Sequence, residues 1–123
     1  MFVDIKDGCM EIGIQIITSD HELGFDLVNS CRFPERRPVI CPGEVMISSQ
    51  NMRAASDDPY ANDIIEFTIT VNEDSSVAEF AGYLYSVLIT RPEKISSLAI
   101  SGAETQIDEV KIKQAIEAGM EKL

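Results

Sequence analysis

Tryptophan is absent from the chain, histidine occurs once and cysteine three times. A single histidine leaves little room for acid–base or nucleophilic chemistry. A Cys–His nucleophilic pair would need His21 beside Cys9, Cys31 or Cys41, and nothing in the sequence brings them together. Zinc held by His21, Cys31 and Cys41 would leave nine residues between consecutive ligands, a spacing foreign to fingers and ribbons. The cysteines are odd in number and form no CxxC pair, which fits a reducing compartment better than a secreted disulfide framework. Each is expected to be a small buried hydrophobe. No run of eighteen apolar residues occurs, which excludes a membrane-spanning helix. Met1 to Asp7 lacks a basic segment followed by an apolar one, so no secretory signal is expected and the expected location is cytoplasmic.

The phosphate-cradling patterns GxGxxG and GxxxxGK[ST] are missing. So is the interleaving of aromatic and basic residues that single-stranded nucleic acid requires. Asp57, Asp58, Asn62 and Asp63 offer oxygen ligands, but the glycine and distal glutamate of a calcium loop are not there. Arg32, Arg36 and Arg37 form the one local basic cluster, expected to pair with Glu35 and its neighbours. No catalytic residue, metal or cofactor is expected, and the chain is not expected to be an enzyme. Cations are scarcest of all: 10 Lys and Arg stand against 21 Asp and Glu, for a net charge of −11. A field of that sign repels nucleic acid and anionic lipid and draws cationic partners.

What is present is a patterned chain of 123 residues, 45% hydrophobic, expected to form a single domain over 1–123. In Ile64 to Val71, Ile65, Phe67, Ile69 and Val71 alternate with Glu66, Thr68 and Thr70, which predicts a strand with one buried face. Ser76-Val77-Ala78-Glu79 then reads as a capping box for a helix whose apolar stripe is Phe80, Leu84, Val87 and Leu88. A second such box, Ser19 to Glu22, precedes Leu23, Leu27, Val28 and Cys31, with Gly24 weakening that helix by about 1 kcal/mol.

Alternation also predicts strands at Phe2–Lys6 and Cys9–Thr18, joined by an Asp7-Gly8 hairpin turn. A short or edge strand is expected around Val45-Met46-Ile47 after a Pro42-Gly43 turn, then a long loop from Asn51 to Asp63. Ser97–Ser101 predicts a strand, and about Asp108 to Leu123 a final helix with Ile112, Ile116, Met120 and Leu123 on one face. The order β-β-α-β-β-α-β-α predicts an α+β two-layer sandwich, with a mixed or antiparallel sheet of about five strands and three helices. Its second half resembles part of a ferredoxin-like arrangement in element order.

Between Ala54 and Thr90 there are seven acids and no Lys or Arg, so this stretch contributes −7 of the net −11. Tyrosine beside carboxylates suits a surface that anchors apolar area while pairing with cations. The expected partner-binding residues are Asp57, Asp58, Tyr60, Asp63, Glu66, Glu73 and Asp74. The expectation is a protein-binding protein whose acidic face docks a basic protein, with no nucleic-acid or membrane partner. In size and charge it is similar in kind to the bacterial immunity proteins that neutralise nuclease-type toxins. The alternative is a small regulatory or scaffold domain, acting through homodimerisation at the Val45–Ile47 edge or by attachment to a larger complex.

Overall fold

Alternation of apolar and polar side chains makes Met10–Thr18 the first strand (β1) of the computed structural model, which describes residues 10–28, 31, 39–54, 62–72 and 75–121. Leu23–Val28 is a short helix (α1), Val39–Cys41 and Val45–Ala54 are β2 and β3, Asp63–Val71 is β4, and Val77–Leu88 is the helix α2. A 3-10 turn at Pro92–Lys94 leads into β5 (Ile95–Ile100) and β6 (Ala103–Glu104), and Glu109–Glu121 forms α3. The six strands make one sheet in the order β2-β3-β4-β1-β5-β6, with every neighbouring pair antiparallel. An α+β class is therefore the outcome. The described sheet has six strands rather than about five and contains no parallel pair, and its helices are two long ones and the six-residue α1.

One face of this sheet holds the core. Ile12, Ile14 and Ile16 of β1, Ile65, Phe67, Ile69 and Val71 of β4, and Leu98 and Ile100 of β5 are buried with Phe80, Ala81, Leu84 and Leu88 of α2 and Ile112 and Ile116 of α3. Each such isoleucine, leucine or phenylalanine contributes roughly 1.5–3 kcal/mol relative to exposure. Leu23 and Leu27 of α1 are buried in the same cluster. Among the described residues Thr18 is the buried polar one, and its hydroxyl is satisfied twice: it donates to the Lys94 carbonyl at 2.8 Å and accepts from the Asp20 amide at 2.9 Å.

Several expectations need correction. β3 is neither short nor at an edge: it runs ten residues, with β2 on one side and β4 on the other. Met46 faces Ile40 across one ladder and Thr70 across the other, so the Val45–Ile47 edge proposed for homodimerisation is already paired. The reason lies in the turn before it. Gly43 at φ 86° and Glu44 at φ 56° fold the chain back within three residues, so Val39–Cys41 becomes a strand that covers β3. Only glycine takes that conformation at 43 without strain, and a Cβ there would lie 2.5 Å from the Ser76 carbonyl oxygen.

The expected loop from Asn51 to Asp63 is shorter than its composition suggests. Asn51–Ala54 continues β3 and pairs with β4 as far as Asp63, because cross-strand pairing outweighs the polar character of those residues. β6 follows from Ser101 at φ 56° and Gly102 at φ 82°, two left-handed residues that close a two-residue hairpin where only a stop was expected. The strand expected at Phe2–Lys6, its Asp7-Gly8 turn, Cys9, the cluster Arg32, Arg36 and Arg37, and the last residues Lys122 and Leu123 lie outside the described residues.

Candidate functional site

The pleat that sends Ile12, Ile14 and Ile16 inward sends Glu11, Gly13 and Gln15 to the opposite face of the sheet. No described element covers that face. The register places Glu11 beside Thr70, Gly13 beside Thr68, and Gln15 between Glu66 and Ala99. Asn51 stands across from Glu66, and Glu104 across from Ala99. Gly13 and Ala99 present almost no side chain, so the middle of the sheet is dished. A depression of about 640 Å³ is lined there by Gly13, Gln15, Asn51, Glu66, Thr68 and Ser101, among others. A Cβ built on Gly13 meets nothing within 4 Å, so the hollow is open above that residue. Glu66 Oε2 accepts a hydrogen bond from Gln15 Nε2 at 3.1 Å, which fixes the carboxylate at the wall of the hollow.

The charge of this face differs from that of the helix layer. Among the described side chains it carries Glu11, Glu66 and Glu104, all carboxylates. The described Lys and Arg side chains (Arg91, Lys94, Lys111 and Lys113) stand instead on α3 or on the connection from α2 to β5. Arg53 is the exception: its register position opposite Ile64 is on the same face as Asn51 and Glu66. Arg91 is committed to Asp20 and Asp26, at 2.9 and 2.6 Å, and Lys113 to Glu117 at 2.9 Å. The hydrogen bond it donates to Asp26, against the opposing effect of burial, raises the guanidinium's pKa further. Asp20 is held below the usual carboxylate range, chiefly because its carboxylate accepts the Glu22 amide and also because Arg91 lies beside it.

Of the residues expected to bind a partner, Glu66 and Asp63 are described, and they leave opposite faces of β4. Asp63 is tied to His21, whose Nδ1 lies 2.7 Å from Asp63 Oδ2; the histidine side chain is 54% exposed and the aspartate 16%. Glu79 lies in the first turn of α2, at the far end of β4 from Asp63. The three described acids of that run, Asp63, Glu66 and Glu79, thus stand in three separate places. Asp57, Asp58, Tyr60, Glu73 and Asp74 lie outside the described residues. Tyr83 serves the interior: its hydroxyl donates to the Leu27 carbonyl and its ring meets Phe80, with centroids 6.4 Å apart.

Reasoning from the sequence assigned no role to Glu11, Gly13, Gln15, Asn51, Thr68 and Glu104. The alternation in β1 already sent Glu11, Gly13 and Gln15 away from the core, but only the packing of both long helices on the other face makes this side a surface. Among the described residues, no three His, Cys, Asp or Glu side chains gather as a metal site would require. No helix among them is long and apolar enough to cross a membrane. Comparison with protein-family models, curated proteins and solved structures finds no match for the chain.

Proposed function

We propose that the protein binds rather than catalyses, and that its uncovered sheet face docks the basic surface of another protein. The observation that supports this is the polar hollow on that face, with the Glu66 carboxylate held at its wall by Gln15 and with Glu11 and Glu104 on the same side of the sheet. A lysine or arginine entering the hollow would meet Glu66, the Gln15 and Asn51 amides and the Thr68 hydroxyl. Such a group gains a charge-assisted hydrogen bond while keeping polar company for its remaining donors. The net charge of −11 adds long-range attraction, which can bring association to about 10⁸–10⁹ M⁻¹s⁻¹ at low salt. In its finer form the proposal makes this chain a cytoplasmic inhibitor of a bacterial nuclease-type toxin. A nuclease displays cations for phosphate, and carboxylates can satisfy the same groups.

The test is stopped-flow association with basic domains encoded by neighbouring reading frames. Reversing Glu11, Glu66 and Glu104 together to lysine should slow association by roughly 10- to 100-fold at low salt and flatten its salt dependence. Gly13→Val should abolish tight binding by filling the hollow, with thermal stability unchanged or raised, since the added side chain meets open space and valine favours strands. Reversal of Asp57 and Asp58 asks whether acids between β3 and β4 share the steering. Unaltered rates and unaltered salt dependence in the triple reversal would exclude this face as the docking surface.

A further inference from the structure

The bare face of the sheet has rows as well as a hollow. Residues of one strand that share a face lie about 6.7 Å apart, and neighbouring strands about 4.8 Å apart. The register therefore aligns three rows across the strands. Met46, Thr70 and Glu11 form the first, with Ile40 beside Met46 on β2. Thr68 and Gly13 form the second, and it continues to Ser101, whose amide donates to the Gly13 carbonyl at 2.8 Å. Asn51, Glu66, Gln15, Ala99 and Glu104 form the third. The middle row is low, since Gly13 has no side chain and a Cβ there meets nothing within 4 Å. The hollow is thus a trough running across the strands, and its walls stand about 13 Å apart. Arg53 holds a register position beyond the third row, outside the trough.

Building on the docking surface proposed above, we propose that the partner's element seated in this trough is a basic amphipathic helix lying across the strands. An extended segment laid on the face of a sheet would leave its own amides and carbonyls without a ladder, because the backbone groups beneath it are already paired between strands. A helix closes its backbone bonds internally, and its width of about 10–12 Å fits between walls about 13 Å apart. Side chains three and four residues apart on it recur about every 4.5–6 Å along the axis, so successive ones meet successive strands. Six strands span about 24 Å, the length of a helix of about 16 residues. The two walls differ, and that sets the partner's chemistry. The pleat turns Ile40 and Met46 away from the buried Cys41, Val45 and Ile47, so the first wall is apolar at its β2 end, with Glu11 at the other. The third wall holds Asn51, the Glu66 carboxylate anchored by Gln15, and the exposed Glu104. The complementary helix carries aliphatic side chains toward Ile40 and Met46 and lysine or arginine toward Glu66, and the net charge of −11 draws it in.

The experiment uses two synthetic peptides of about 16 residues with the same leucine and lysine content. One places leucine at the helical period, and the other alternates leucine with lysine at the strand period. Each is titrated into the whole isotope-labelled protein, with amide shifts reporting the site and circular dichroism the peptide's conformation. The helical-period peptide should bind about 10-fold more tightly than its isomer, gain helix on binding and move the Gly13, Gln15 and Thr68 amides. Gly13→Val raises the floor of the trough and should weaken that peptide by roughly 10-fold. Equal binding of the two isomers, both weakened by Glu66→Lys, would overturn the helix and leave the face a docking surface. Indifference to Gly13→Val, or binding of neither peptide, would also overturn the helix, while the broader reading stands or falls on its own stopped-flow rates.

Discussion

At the start of α1 and at the start of α2 the chain carries the same Ser-x-x-Glu pattern, yet the two helices begin differently. Ser76 caps α2 as its sequence suggests, its hydroxyl accepting the Glu79 amide at 3.1 Å. At the other segment Asp20 takes the role expected of Ser19, accepting the Glu22 amide at 3.0 Å. In both places the serine's own amide, which a capping glutamate would accept, is taken by a carbonyl from elsewhere: Lys94 for Ser19 at 2.9 Å, Gly43 for Ser76 at 2.7 Å. Glu22 and Glu79 are left exposed. The comparison shows a capping box to be a competition for donors that a well-placed backbone carbonyl can win.

The largest effect should come from the turn that supplies one of those carbonyls. Gly43→Ala introduces a Cβ into a left-handed residue, 2.5 Å from the Ser76 oxygen and 3.0 Å from the Phe80 nitrogen. A loss of about 2–4 kcal/mol in denaturant unfolding is expected. A loss below about 1 kcal/mol would mean that the α2 cap does not depend on this contact.

Next comes Asp20, which caps α1 and pairs with Arg91. Asp20→Ala should cost about 1–3 kcal/mol, and Asp20→Asn less, because asparagine keeps the cap and loses only the charge. The two variants also differ from the wild type in acid. The folded protein holds Asp20 below its ordinary value of 3.8, so it favours the ionised form. That stabilisation is complete above the unfolded-state pKa and is lost as pH falls through the lower folded value. Asp20→Asn should flatten the acid limb of the stability–pH curve below about pH 4. An unchanged acid limb would show that the ionised Asp20 carboxylate, with its Glu22 and Arg91 partners, contributes nothing to stability in acid.

The smallest effects sharpen the comparison most. Ser76→Ala should cost about 1 kcal/mol, whereas Ser19→Ala should stay within about 0.5 kcal/mol because that hydroxyl caps nothing. Equal losses at the two serines would refute the distinction drawn between the segments.

The comparison also explains what was legible beforehand. Ile65, Phe67, Ile69 and Val71 alternate over a distance the chain itself sets, so burial of one face of β4 could be read directly. Ser76 acts on an amide three residues away, a local matter. β2, the length of β3 and the paired state of Val45–Ile47 could not be read, because they depend on Gly43 and Glu44 both taking positive φ and on which strands arrive alongside. That Asp63 and Glu66 do not share a surface has a local reason: they are three apart, and an odd spacing in a strand puts them on opposite faces.

By itself the sequence determined the periods of its strands and helices, the apolar stripe of α2, the excess of carboxylates and the lack of a membrane-spanning run, since each follows from neighbours along the chain. The tertiary structure alone decided the strand order, the side of the sheet left bare and the separate places of Asp63, Glu66 and Glu79. These depend on contacts between segments far apart in the chain. Covering one face of the sheet with both long helices is what turned Glu11, Gly13, Gln15 and Glu66 from alternate residues into a surface.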